Sequence, residues 1–116
     1  IEVAQALGLG QEAYAIDAAC ASSLYAIKVA CDFLQSGQAQ MMIASGVTAS
    51  DTLFLNTGFT ALKALSPSAQ SRPFHKEADG LIPAQGAASI LLKRLEDAER
   101  DGDNILGVIL GIGLSN

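Results

Sequence analysis

The residue in this sequence best placed to do chemistry is Cys20, in the segment Ala15-Ile16-Asp17-Ala18-Ala19-Cys20-Ala21-Ser22-Ser23-Leu24. A short apolar run, Ala13 to Asp17, reads as a buried strand. It leads through a tight turn of small residues into a helix with Cys20 at its start. A nucleophile gains three things at such a place. Small neighbours let a substrate approach, unpaired N–H groups of the first turn can face a developing oxyanion, and the helix dipole favours a negative sulfur. The dipole contributes at most ~2 kcal/mol, so full activation calls for another group, usually an imidazole. His75 is the single histidine, so either it does that work or the partner lies outside this chain. The competing reading makes Cys20 a small core residue.

The elements that must position Cys20 follow from periodicity. Cys20, Leu24, Ile27, Cys31 and Leu34 form one continuous helical stripe, with Ser22 and Ser23 in its first turn and Gly37 at its C′ position. Cys31 sits mid-helix without unpaired N–H groups and reads as core packing. Eleven helical residues place the two cysteines about 16 Å apart along the axis, beyond the ~7 Å limit for a disulfide. No second pair offers a zinc site.

Residues 1–7 read as the end of a helix stopped at Gly8 and Gly10, and Gln40–Val47 as a strand. Asp51 is expected to cap a helical region that runs to Leu65, is interrupted at Gly58 and ends at Ser66-Pro67. Ser68–Pro83 is a polar loop, Ala84–Lys93 a strand, Arg94–Arg100 a short acidic helix ending near Gly102, and Ile105–Leu114 a last strand. Strands alternate with helices and have apolar cores, the pattern of an α/β layered fold.

Half of the 116 residues are apolar and 16% are charged, against a typical charged share of about 25%. Much of the surface is therefore expected to lie against other protein, and the chain reads as a fragment of a larger domain or as part of an obligate oligomer. Net charge is −5 with no Lys/Arg cluster, which argues against a grip on nucleic acid. No apolar run reaches the ~18 residues of a membrane span, and the first residues do not show a signal-peptide pattern. The expected location is the cytoplasm. The acidic run Glu96–Asp103 lacks the alternation of a calcium loop, and Gly8-Leu9-Gly10 lacks the strand-to-helix setting of a nucleotide loop.

Four segments in register resemble the β-ketoacyl synthases. Asp17-Ala18-Ala19-Cys20-Ala21-Ser22-Ser23-Leu24 resembles their nucleophile signature, in which Asp-Thr-Ala-Cys-Ser-Ser-Ser or a close variant surrounds the cysteine. Ser45-Gly46-Val47 is similar to the Gly-Gly-Val ending the following strand. Arg72-Pro73-Phe74 with Ala78-Asp79-Gly80, and Leu92-Lys93-Arg94-Leu95-Glu96-Asp97-Ala98, resemble two later family segments. The first segment with Tyr25, and the closing Gly111-Ile112-Gly113-Leu114-Ser115-Asn116, look most like the iterative type that makes polyunsaturated fatty acids and related glycolipid or polyketide chains.

The resemblance implies a thiolase-like α/β/α/β/α fold, usually homodimeric. Residues 1–116 would cover the second part of its N-terminal half and the opening strand of the C-terminal half. It implies that Cys20 takes an acyl chain as a thioester from acyl carrier protein, whose phosphopantetheine is the only cofactor. A malonyl thioester then loses CO₂ and its carbanion attacks that thioester. The resemblance also puts Phe59 and Leu81 in segments lining the acyl pocket, where ordinary core packing is the competing role. Asp17 has two readings, orienting the turn at Cys20 or accepting structural hydrogen bonds from nearby N–H groups, and the second is preferred.

Departures matter equally. The family's His-Gly-Thr and Gly-His motifs are absent, so these residues alone are expected to be inactive. His75 aligns with an aspartate of the family and reads as a loop residue. Ala84-Gln85-Gly86 stands where Gly-Glu-Gly is common, which loses a charge and keeps a hydrogen-bonding amide.

Three rival functions remain. A non-catalytic chain-length partner subunit commonly carries Gln in place of the cysteine. A thiolase-type enzyme differs around the cysteine. A cysteine hydrolase or redox protein would need a well-placed histidine partner or a Cys-x-x-Cys pair; His75 reads as a loop residue and the sequence has no such pair.

Overall fold

The computed structural model describes residues 2–10, 13–49 and 52–115. The chain divides into two compact units, Ile1–Gly46 with Ser89–Asn116, and Val47–Ala88.

In the first unit, helix α1 (Glu2–Ala6) stops at Gly8, whose φ of +66° is a conformation that glycine adopts without steric cost. The segment Ala13–Asp17, expected as a buried strand, is irregular. A strand is held by its ladder to a neighbour, and none pairs with this segment among the described residues. Tyr14 instead sets its ring 6.3 Å from that of Phe33. A 3₁₀ turn, Ala19–Ala21, follows and leads directly into helix α2 (Ser22–Gln35). Cys20 thus sits one turn ahead of the α-helix it was expected to begin. Helix α2 ends where periodicity and glycine placed it: Gly37 has φ +73°, its N–H donates to Leu34 O at 3.2 Å, and Gln38 N–H donates to Phe33 O at 3.0 Å.

Strands β1 (Met41–Thr48) and β2 (Gly86–Lys93) pair as a two-stranded sheet, and the hydroxyls of Ser45 and Ser89 meet across it at 2.7 Å. Helix α4 (Leu95–Asp101) closes on Gly102, also left-handed at φ +73°. Ile105–Leu114, expected as a strand, pairs with no strand among the described residues and carries most of its large side chains outward, with Leu106 94% and Leu110 96% exposed and Ile112 half-buried.

The core of this unit consists mostly of small side chains: Ala30, Cys31, Leu34, Ala39, Ala44 and Ala98 are buried. Of the predicted stripe on α2, Cys31 and Leu34 are buried, Ile27 is half-buried, and Leu24 and Cys20 are exposed. Large apolar groups left in the open, such as Leu24, Leu106, Val108 and Leu110, mark a surface that further protein would cover.

The second unit contains helix α3 (Thr52–Ala61). The proposed cap, Asp51, lies outside the described residues. The helix runs through Gly58 without interruption and stops well short of Leu65. Its end is closed by Ala64 N–H donating to Phe59 O at 2.9 Å, with Lys63 left-handed at φ +54°. Leu65 then bridges to Leu81 in parallel. Gly80 makes that approach possible, because a Cβ there would lie 2.5 Å from Ser66 N. Among the described residues no helix is long and apolar enough to cross a membrane, and no cluster of three or more His, Cys, Asp or Glu could hold a metal ion.

Candidate active site

The turn at Cys20 is built from side-chain hydrogen bonds to its own backbone. Ala18 has φ −130° and ψ 36°, and Ala19 follows at φ +50°, a left-handed conformation that costs an L-residue roughly 1–2 kcal/mol. Two side chains offset that cost. Asp17 Oδ1 accepts the Ala19 N–H at 2.9 Å. Ser22 Oγ accepts the Ala18 N–H at 2.9 Å and donates to Ala19 O at 2.7 Å. A net hydrogen bond is worth about 0.5–1.5 kcal/mol, and about 1.5–3 when one partner is charged, so these contacts suffice to hold the strained alanine.

The 3₁₀ turn itself is closed by Ala21 N–H donating to Ala18 O at 3.1 Å and by Ser22 N–H donating to Ala19 O. The N–H groups of Ala19, Ala21 and Ser22 are used in this way, while that of Cys20 is not among them. The bend thus ends in an exposed thiol, a backbone donor on the same residue, and alanine neighbours on both sides. An electrophile can reach the sulfur without displacing a large side chain, and its oxygen can find a donor.

Strand β1 lies against the start of α2 through Gly46. A Cβ added at Gly46 would sit 3.1 Å from Ser23 Cβ, tighter than ordinary van der Waals contact. The Ser45-Gly46-Val47 segment therefore owes its glycine to the proximity of the first turn of α2.

Cys31 is buried and Cys20 exposed, and both are free thiols. The expectation that they cannot bond to each other agrees with this, and the core-packing reading of Cys31 holds. The reading of Cys20 as a buried core residue does not hold within this chain. Asp17 accepts a local N–H, as expected.

The other expected residues belong to the second unit. Phe59 is half-buried on α3, and Leu81 is 38% exposed, its N–H donating to Ala64 O at 2.9 Å. Neither lines the open groove of 460 Å³ in this unit, whose walls are Thr60, Lys63, Leu65, Ser66, Pro67 and Asp79. Asp79 is tied to Ser66 Oγ at 2.5 Å and to Ser68 N–H at 3.3 Å. The Ser66 hydroxyl foremost, with that of Ser68, holds the Asp79 carboxyl below its ordinary range. His75 Nδ1 accepts the Glu77 N–H at 3.1 Å, in a loop position.

Sequence reasoning did not find the left-handed Ala19 or the part Ser22 plays in holding it. The available signal was local: an Asp two residues before and a Ser three residues after one small residue, each within reach of its backbone.

Comparisons with known proteins agree with this geometry. The family model "Beta-ketoacyl synthase, N-terminal domain" matches residues 2–98. The chain is 43% identical over 117 residues to one component of the polyunsaturated fatty acid synthase of a Thraustochytrium species, a match covering 98% of the chain and 6% of that component. It superposes on the solved PfaC keto synthase–chain length factor with a TM-score of 0.79 and 47% identity, covering 90% of this chain and 11% of that one. It also superposes on the AntDE:AntF structure, a type II polyketide synthase acyl carrier protein in complex with its ketosynthase bound to the hexaketide. There the TM-score is 0.74 with 28% identity, covering 89% of this chain and 27% of that one. The fold is accordingly part of the thiolase-like α/β architecture of ketosynthases, and the chain spans only a small share of the length of these relatives. With the matched region running through the Cys20 turn and both strands into the first half of helix α4, the chain belongs to the β-ketoacyl synthase family.

Proposed function

We propose that this chain forms the nucleophile-bearing part of a ketosynthase domain that extends acyl chains by decarboxylative condensation. The observation that carries the proposal is the exposed Cys20 thiol at a strained turn, with alanines on either side and its own N–H unused by the turn.

The reaction proceeds in two displacements. The Cys20 thiolate attacks the carbonyl of a carrier-borne acyl thioester; a new C–S bond forms, the old one breaks, and the carrier thiol leaves. A malonyl thioester then loses CO₂, and the electron pair of the broken C–C bond becomes a carbanion. That carbanion attacks the Cys20 thioester, forming a C–C bond and expelling the Cys20 thiolate, and the carrier leaves with a β-ketoacyl chain two carbons longer. Splitting the condensation in this way is covalent catalysis. The Cys20 N–H stabilises the oxyanion at each attack. The imidazoles that assist decarboxylation belong to family motifs outside these residues.

The partner is an acyl carrier protein that presents its thioester on phosphopantetheine. Support comes from the AntDE:AntF relative, which is described as an acyl carrier protein in complex with its ketosynthase. The working unit is a homodimer within a larger synthase, in which residues 1–116 supply the second part of the N-terminal half and Ile105–Leu114 finds a neighbour to pair with as the opening strand of the next. Phe59 and Leu81 contribute to the acyl pocket. The retained cysteine favours the condensing role over that of a non-catalytic chain-length partner.

The experiment is Cys20→Ala in the complete condensing domain, with acyl transfer followed by mass spectrometry of the protein. Loss of both the acyl adduct and turnover is expected. Unchanged turnover would overturn the proposal.

A further inference from the structure

We infer that Asp17 and Ser22 are positioning residues that lock the Ala19 bend and thereby aim both the Cys20 sulfur and the Cys20 N–H at one carbonyl. This rests on the proposed role of Cys20 as nucleophile and extends it to two residues that act through the backbone beside it.

The geometry points to this through the peptide group joining Ala19 to Cys20. That group is planar and trans, so its C=O and N–H point in opposite directions. Ser22 fixes the C=O end, with its Oγ donating to Ala19 O at 2.7 Å and its N–H donating to the same oxygen. Fixing the carbonyl fixes the direction of the Cys20 N–H. Asp17 acts on the other side of Ala19, where its Oδ1 accepts the Ala19 N–H at 2.9 Å. The Ser22 hydroxyl also receives the Ala18 N–H at 2.9 Å, so the peptides before and after Ala19 are held by two side chains. Between them Ala19 has φ +50°, which an alanine abandons unless its surroundings enforce it. Release of either clamp lets the bend relax and swings both the sulfur and its neighbouring donor away from a shared target. Small displacements of this kind lower rates without weakening substrate binding.

The test uses the complete condensing domain and measures single-turnover acylation of Cys20, the KM for the acyl carrier substrate, the rate of iodoacetamide alkylation at Cys20, and the thermal midpoint. Asp17→Ala and Ser22→Ala are each expected to slow acylation by roughly tenfold or more with KM changed less than about twofold. Asp17→Asn and Ser22→Thr keep the accepting oxygen and the hydroxyl, and are expected to recover most of the rate. Glycine adopts positive φ without strain, so Asp17→Ala combined with Ala19→Gly is expected to acylate faster than Asp17→Ala alone.

Wild-type acylation in both alanine variants would overturn the inference, as would a double variant no faster than Asp17→Ala. A loss explained entirely by a fall in thermal midpoint, with the surviving folded protein acylating normally, would overturn it too. If Asp17→Ala does not fold, the comparison of Ser22→Ala with Ser22→Thr decides the matter by the same criterion. The two levels separate cleanly. Acylation that survives Cys20→Ala removes the nucleophile itself, whereas an inert Cys20→Ala beside fully active Asp17 and Ser22 variants removes only the positioning role.

Discussion

Arg94 donates from Nη1 to the carbonyl of Leu34 at 2.7 Å, across 60 residues of sequence. The same nitrogen reaches Ala39 O at 3.0 Å, while Nη2 pairs with Asp97 Oδ2 at 2.6 Å. One guanidinium thus adds a side-chain donor to the Leu34 carbonyl, which Gly37 N–H also reaches, secures the turn before β1 and anchors the first turn of α4. A planar fork with several donors suits that task, and an ammonium does not.

Replacing Arg94 should therefore cost more than an ordinary surface change. Arg94→Ala leaves the Leu34 and Ala39 carbonyls and the Asp97 carboxylate without their shared donor, and the expected loss is about 2 kcal/mol or more. Arg94→Lys should recover only part of it. Urea unfolding of the complete domain checks this, and equal stability of the Arg94→Ala and parent proteins would contradict the structure.

Stability should fall at both ends of the pH range. Asp97 is held below the ordinary carboxylate range by Arg100 foremost and by Arg94, and Asp101 by Lys93 foremost and then Arg100. A carboxyl depressed on folding contributes stability above its unfolded value near 4; that contribution is lost as pH falls below it, through the folded value. Lys93 is raised by Asp101 and then Asp103, with its Nζ 2.6 Å from a carboxylate oxygen of each. Its contribution is complete below the unfolded value near 10.4 and disappears as pH rises above it. Denaturation midpoints followed from acid to alkaline pH should bend at those two edges. Lys93→Met should abolish the alkaline bend and soften the acid one.

Gly80 should tolerate no side chain. Its φ is +151°, and a Cβ would meet Ser66 N at 2.5 Å and Leu65 C at 2.6 Å. Gly80→Ala is expected to pull apart the Leu65–Leu81 bridge and to destabilise by more than ~1 kcal/mol. Limited proteolysis should show new cutting within residues 66–80. Gly58→Ala, at a helical glycine with open space around it, is the matched control and should be neutral or mildly stabilising.

The two cysteines should separate by labelling. Iodoacetamide is expected to modify exposed Cys20 and to spare buried Cys31 in the native protein, with both modified after denaturation. Cys31→Ala should leave acyl transfer intact and lower stability by roughly 1 kcal/mol through a small cavity. Equal native labelling of both thiols would remove the distinction on which the site rests.

Much of the local architecture was legible before any coordinates. Helix α2 carries its own period and its own stop at Gly37, and α4 ends on Gly102, because capping and periodicity are written within a few residues of each other. The two paired strands announce themselves by short apolar runs. The nucleophile signature around Cys20 is likewise a contiguous string.

What only the tertiary structure decided is everything that depends on a distant partner. Ala13–Asp17 and Ile105–Leu114 have strand-like composition, yet a strand exists only through hydrogen bonds to a neighbour, and here none pairs with them among the described residues. The span of Arg94 from α2 to α4 and the approach of Gly46 to Ser23 join residues far apart in sequence, so no local pattern encodes them. The left-handed bend at Ala19 is the intermediate case. Its clamps, Asp17 and Ser22, are close by, but an alanine carries no sign of positive φ, and only the backbone reveals that these side chains bend it.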